Sequence, residues 1–332
     1  MTRRPLLALC VLLVWAVAYP PRAATLTAAP WPSAATAAAT EYGPSNGTLV
    51  IVGGGNLDGV GILETFIALG GGTEDGKFII VPTAMGNRNS RGEVVTYNEA
   101  SVVAGWLRLG VRNVKMLHTH DPKIADTEAF VEDLREATAV WFTGGRHWNI
   151  VDSYANTLTY REFHKVLERN GVIGGNSAGA TIQGEYLVRG DTRGNHIVMT
   201  REPNHQRGFE FLRRSAIDQH IDARNRWDDL IPVIKWYPNL LGIGLSERTA
   251  IVVKGDQFEV IGAWKVAIHD NTRQYGWRKP YYLLSPGDIY NMKTRQVVTD
   301  ADVRSRLSTA VPIGTAHHTR GSAGLGTRWS GK

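Results

Sequence analysis

The chain has 332 residues, 43% of them hydrophobic and 20% charged, which is enough for one α/β domain with a substantial core and excludes a chain disordered throughout. Half of the formal charge of +6 comes from Arg3, Arg4 and Arg22, and no block of Lys and Arg is long enough to read as a nucleic-acid surface. The single cysteine, Cys10, sits in the same leader, so disulfides, thiolate metal sites and a cysteine nucleophile are excluded from the body of the protein.

Residues 1–24 read as a signal peptide. Thr2-Arg3-Arg4 precedes an uncharged apolar run, Leu6 to Ala18, that is too short to cross a bilayer as a helix. Ala16-Val17-Ala18 and Arg22-Ala23-Ala24 are the candidate cleavage neighbourhoods, and an uncleaved anchor is the competing reading. The expectation is a secreted protein, extracellular or periplasmic, with no membrane attachment after cleavage. Residues 25–46, rich in Ala, Thr, Pro and Ser, read as a linker. One domain is expected over 47–318, followed by a frayed Gly/Ser/Thr/Arg tail over 319–332.

The domain begins at Thr48-Leu49-Val50-Ile51-Val52, a short apolar run closed by Gly53-Gly54-Gly55. Similar runs follow at Phe78–Val81, Val114–Leu117, Ala139–Phe142 and Val172-Ile173. Short apolar runs bounded by glycine predict buried parallel strands. Between them, Ala100, Val103, Leu107 and Val111 recur at helical spacing, as do Tyr160, Phe163 and Leu167. Strands alternating with helices predict βαβ units, a mostly parallel sheet and helices on both faces. The runs Ile243–Val253, Phe258–Ile261 and Trp264–Ile268, with turns such as Lys254-Gly255-Asp256, predict mixed or antiparallel strands that extend the sheet.

The segment richest in chemistry is Val172-Ile173-Gly174-Gly175-Asn176-Ser177-Ala178-Gly179-Ala180. An apolar strand runs into Gly-x-Ser-x-Gly, and small residues then open a helix. That pattern presents a serine hydroxyl on a sharp turn beside free helix N-terminal amides, which can stabilise an oxyanion. The competing reading is a glycine-rich turn in which Ser177 only caps the helix. A nucleophilic serine needs a base. His220, in Ile217-Asp218-Gln219-His220, ends an apolar approach and opens a polar cluster that includes Arg224 and Arg226. By residue type alone, a histidine in such a cluster is more often a surface residue than a base. If residues 219–230 were helical, His220 and Arg224 would share a face.

Taken as a set, Gly174–Ala180, Asp218-Gln219-His220, Arg224-Asn225-Arg226, Phe142-Thr143-Gly144-Gly145 and Leu241–Glu247 resemble the cyanophycinases. That family groups with aspartyl dipeptidases in a class I glutamine amidotransferase-like fold and cuts an aspartate–arginine polymer. The resemblance implies Ser177 as nucleophile, His220 as its base, and the amides of Gly145 and Ala178 as the oxyanion hole. It implies that Arg224 and Arg226 clamp substrate carboxylates and that Gln219 touches substrate. It implies cyanophycin or a β-aspartyl peptide as substrate, no cofactor and no metal, and it leaves a homodimer open.

Two departures stand out. The family's orienting acid is expected halfway between Ser177 and His220, where this chain has Asn195. Asp191 is the nearest carboxylate and is taken as the triad acid, with Glu202 next and an amide or carbonyl as a further choice. Arg146-His147 stands where many relatives have an amide side chain, which makes Arg146 a candidate substrate contact. Glu247 reads as a structural ion-pair residue, and Trp141 and Trp148 as core residues that could line a cleft. Three alternatives are an α/β-hydrolase esterase, an aspartyl dipeptidase of the same fold, and a secreted binding protein that no longer cuts. Against the first, no His-Gly-Gly segment lies upstream of Ser177. Gly53-Gly54-Gly55-Asn56 lacks the Gly-x-Gly-x-x-Gly register of a dinucleotide loop, and no His-Glu-x-x-His spacing occurs.

Overall fold

The computed structural model describes residues 40–89, 91–273 and 280–298. The expected signal peptide, the first part of the linker and the frayed tail lie outside the described residues. In chain order the elements are β1 (Thr48–Val52), α1 (Ile62–Leu69), α2 (Gly72–Asp75), β2 (Lys77–Val81), α3 (Glu99–Arg108), β3 (Asn113–Met116), α4 (Pro122–Ala125), α5 (Glu128–Glu136), β4 (Ala139–Phe142), α6 (His147–Tyr154), α7 (Leu158–Glu168), β5 (Val172–Asn176) and α8 (Ala178–Thr181). There follow β6 (Gly184–Tyr186), β7 (Leu212–Gln219), α9 (Leu230–Trp236), β8 (Leu241–Leu245), β9 (Thr249–Lys254), β10 (Gln257–Gly262), β11 (Val266–His269), β12 (Tyr282–Leu284), β13 (Ile289–Asn291) and β14 (Gln296–Val298).

The predicted parallel strands form the centre of a nine-stranded sheet in the order β14-β13-β10-β9-β1-β5-β4-β2-β3. The pairings β1–β5, β5–β4, β4–β2 and β2–β3 are all parallel. Strand alternation sends Val50, Val52, Phe78, Ile80, Ala139 and Trp141 to one face, where α1 supplies Ile62 and Phe66 and α3 supplies Val103 and Trp106. Leu49, Ile51, Ile79, Val81, Val140 and Phe142 point to the other face and meet Leu134 of α5, Ile150 of α6 and Phe163 of α7. Helices α3, α5 and α7 begin where their sequences supply caps. Thr127 and Thr157 accept from the amides of Phe130 and Tyr160, and Asn98 accepts from that of Ser101. The fold is the expected α/β arrangement, a mostly parallel sheet core with helices on both faces.

Two sequence expectations need correction. Ile243–Val253 is not one strand. It breaks at Ser246–Arg248, where Arg248 has φ 57°, and its halves enter different sheets. β9, β10, β13 and β14 extend the main sheet in antiparallel pairing. β8 and β11 instead join a second sheet in the order β12-β11-β8-β7-β6, with β6, β7 and β8 parallel. Residues 40–46, read as linker, are seated on the domain. The amides of Glu41 and Tyr42 both donate to Asp256 Oδ1 at 2.8 Å, Arg213 donates to the carbonyls of Thr40 and Gly43, and Tyr42 is buried. A composition-based reading missed this because the anchoring partners lie far along the chain.

His147 and His269 are buried and His164 is half-buried, and desolvation holds each imidazole at about 4 against an ordinary 6.5. An unfolded chain takes up protons at these positions below about pH 6.5, whereas the folded chain resists until about pH 4. His118, His120 and His220 are lowered as well, so His205, raised by Asp152 and Glu202, opposes this trend as one site against six. Stability should therefore fall as pH drops through that window, with a lower urea midpoint at about pH 5 than at about pH 7.5. An equal or higher midpoint at the lower pH would contradict the assignment.

Candidate active site

The carboxyl ends of β1, β4, β5, β7 and β8 converge on one cleft, the usual location of sites in parallel sheets. The glycines of β5 are required by packing. A Cβ at Gly174 would lie 2.7 Å from the rings of Phe66 and Trp141, and one at Gly175 would lie 2.4 Å from the Gly179 carbonyl oxygen. The close approach of β5 to α8 forces a sharp bend between them, and Ser177 occupies it with φ 57° and ψ −114°. Its amide donates to the Val52 carbonyl at 3.0 Å, and its carbonyl accepts from Ala180 at 3.0 Å. The bend is pinned on both sides, so a strained serine backbone persists there.

His220 follows the last residue of β7 and has φ 54°. Its amide donates to the Gly53 carbonyl at 3.1 Å. Its Nε2 lies 2.9 Å from Ser177 Oγ, and its Nδ1 lies 2.6 Å from Glu247 Oε1. Glu247, just past β8, has its own amide donating to Asp222 Oδ1 at 2.9 Å. The glycine run after β1 forms the wall behind this row. A Cβ at Gly54 would fall 2.3 Å from His220 Cε1, and one at Gly55 would fall 2.8 Å from Glu247 Oε2. Burial lowers the His220 pKa, and the hydrogen bond to Glu247 works against that shift. The imidazole is therefore neutral at pH 7. Its Nδ1–H donates to Glu247, which leaves Nε2 as an acceptor for the serine hydroxyl.

The structure sorts the other expected site residues. Asp191, expected to orient His220, does not. Its carboxylate accepts from Arg193 at 2.7 and 2.8 Å and from Thr200 at 3.0 Å, closing a turn of its own loop. Glu202 is held by Thr192 Oγ1 at 2.8 Å and His205 Nδ1 at 2.7 Å. Glu247 takes the place beside His220 because β8 lies next to β7 in parallel, so their ends meet. Residues 221–225 form a turn and not a helix, although the Arg224 amide still donates to the His220 carbonyl at 3.0 Å. Ser177, Gly145, Arg146, Gln219, Arg224 and Arg226 together border a cavity of 520 Å³. Among the described residues, neither the Gly145 nor the Ala178 amide donates to any acceptor. Gly145, at φ 143°, is pressed on Ala84, where a Cβ would lie 2.2 Å from the carbonyl oxygen. Trp148 lines the cavity under the Arg146 guanidinium, 5.5 Å from its ring centre, whereas Trp141 is core.

Sequence reasoning missed Glu247 as the partner of His220, the glycines behind it, and Arg189. One signal was available: Leu241–Leu245 is an apolar strand followed two residues later by an acid, close to the strand-end placement that singled out Ser177. The charge on Glu247 raises the His220 pKa, so Glu247→Gln should lower it further. Asp191→Asn should leave it unchanged. Histidine-selective NMR titration of the two variants checks this, and the reverse pattern would refute the row as drawn.

Comparison with known proteins gives the family. The model of peptidase family S51 matches residues 49–261. A cyanophycinase of Synechococcus elongatus is 28% identical over 276 residues, covering 77% of this chain and 83% of that protein. A cyanophycinase of Geminocystis herdmanii is 28% identical over 272 residues, covering 75% and 95%. The crystal structure of a peptidase from an acI-B1 Actinobacterium superposes with a TM-score of 0.56 at 22% identity, covering 75% of this chain and 98% of that one; it supports the fold. The family match spans well over half of the chain and contains Ser177, His220 and Glu247, and the protein belongs to peptidase family S51, the serine-type peptidases.

Proposed function

We propose that this peptidase hydrolyses cyanophycin to β-aspartyl-arginine dipeptides through an acyl-enzyme on Ser177. The observation that carries the proposal is the unbroken row from Ser177 Oγ through His220 to Glu247, at 2.9 and 2.6 Å. In that row, His220 Nε2 takes the hydroxyl proton as Oγ attacks the scissile carbonyl. Glu247 stabilises the imidazolium that forms. The amides of Gly145 and Ala178 receive the developing oxyanion. The imidazolium then gives its proton to the departing amine, leaving an ester on Ser177. Water then loses a proton to His220 as its oxygen attacks the ester carbonyl, and the imidazolium returns that proton to Ser177 Oγ as the ester bond breaks and the acid leaves.

The cavity favours an acidic ligand. Arg146, Arg189, Arg224 and Arg226 border it, and no Asp or Glu of the described residues lines it. Gln219 Oε1 is buried without a partner among the described residues and offers an acceptor to a substrate N–H. The substrate class follows from the cyanophycinase relatives together with this charge. The absence of a lining acid, which a substrate guanidinium would pair with, favours a second reading: an aspartyl dipeptidase acting on small peptides. The non-catalytic reading rested on Asn195 in place of an acid, and Glu247 removes that ground. The leader with its run Leu6–Ala18 supports an exported enzyme.

Ser177→Ala should abolish turnover, by about a thousandfold or more, with the melting temperature within a few degrees of wild type. The assay is clearing of insoluble cyanophycin, with product mass read by mass spectrometry. Dipeptide product supports the cyanophycin reading. Hydrolysis of small aspartyl peptides without clearing selects the dipeptidase. Persistence of most of the rate in the alanine variant would sink the serine mechanism.

A further inference from the structure

Arg226 is 8% exposed and borders the cavity, yet it is poorly paired. Its Nη1 donates to the Gln219 carbonyl at 3.3 Å. The nearest carboxylate oxygen, Asp218 Oδ1, is 3.7 Å away. A buried guanidinium without close pairing is costly unless something else completes it.

The reason lies with Arg189, on the connection between β6 and β7. Its Nε and Nη2 hold Asp218 in a fork at 3.2 and 3.1 Å. Nη2 also donates to Asp229, and Nη1 donates to the Asn195 carbonyl at 2.6 Å. One guanidinium thus takes both acids near Arg226. The position of Arg189 is set by its backbone, which is left-handed at φ 62°. Its amide donates to the Val198 carbonyl at 2.9 Å. Its own carbonyl accepts from His147 Nε2 at 2.8 Å, which ties the loop to α6, beside Arg146.

We propose that Arg189 is a positioning residue: by holding Asp218 and Asp229 it keeps the buried Arg226 guanidinium open for a substrate carboxylate. This rests on the reading above, in which Arg226 receives that carboxylate. Without Arg189, Asp218 turns the short distance onto Arg226 and neutralises it before substrate arrives. A lysine at 189 would keep a charge but could not fork to Asp218 while reaching Asp229 and Asn195. The consequence is selectivity for substrate charge, expressed in KM more than in kcat.

The test compares two synthetic oligomers of β-aspartyl-arginine, one with free arginine carboxylates and one with the same groups amidated. Wild type should show the lower KM for the free acid. Arg189→Met should raise KM for the free acid by about tenfold while kcat changes by less than about threefold, and leave the amide form nearly unaffected. Adding Asp218→Asn to that variant removes the competing acid and should restore the preference. Arg189→Lys should lose a few-fold of it, and carries the same comparison if Arg189→Met does not fold. A folded position-189 variant that keeps the wild-type preference overturns the proposal and leaves the substrate reading intact. A wild-type enzyme with no preference for the free acid overturns the carboxylate reading, and the proposal with it.

Discussion

The hydrogen bond between His220 Nε2 and Ser177 Oγ joins the two sheets of the molecule, and the active site depends on their registration. Ser177 leaves β5 of the nine-stranded sheet, while His220 and Glu247 leave β7 and β8 of the five-stranded one. A shift of one sheet against the other by an ångström would break the row. Three features prevent that shift. Gly53 receives the His220 amide, the side-chain-free Gly54 and Gly55 let the imidazole and the carboxylate approach the turn that follows β1, and Val52 fixes the Ser177 amide. The first strand of the domain is therefore a template for all three polar side chains.

Charge around the cleft is arranged on the same scaffold. The acids near the site are occupied inward: Asp218 by Arg189, Asp222 by the Glu247 amide, and Glu247 by His220. Of the arginines at the cavity wall, Arg189 is bound to Asp218 and Asp229, while Arg146, Arg224 and Arg226 border the space where a ligand would lie. Burial acts in opposite senses on the two kinds of group. It keeps His220 neutral and ready to accept a proton, and it makes the charge on Arg226 worth more to an anion than it would be in water.

The connection from Leu187 to Arg207 shows how a long loop can be held with only one short 3-10 turn, Pro203–His205. Asp191 closes its own turn with Arg193 and Thr200. His205 bridges Asp152 of α6 and Glu202 at 2.7 Å each. Arg189 closes the base of the loop through the Asn195 carbonyl. Asp191 is the carboxylate nearest Asn195, the position where the family resemblance places the orienting acid. It serves instead to keep the wall of the cleft in place.

The fold class, the serine and the histidine were legible in the amino-acid order because each is written locally. Apolar runs ending on glycine mark buried strands, and Gly-x-Ser-x-Gly at a strand end marks a hydroxyl on a tight bend. Local pattern could not name the acid. Glu247 reaches His220 because two strands separated by α9 pair in parallel, and that register is chosen by the packing of the whole second sheet. The same holds for residues 40–46, whose Ala/Thr/Ser/Pro surroundings imitate a linker until Asp256 and Arg213 hold them down. Sequence by itself determined which side chains could do chemistry, since that depends on residue type and nearest neighbours. Only the tertiary structure decided which of them meet, because hydrogen bonds of 2.6 to 2.9 Å between residues 27 and 43 positions apart are set by how the sheets pack.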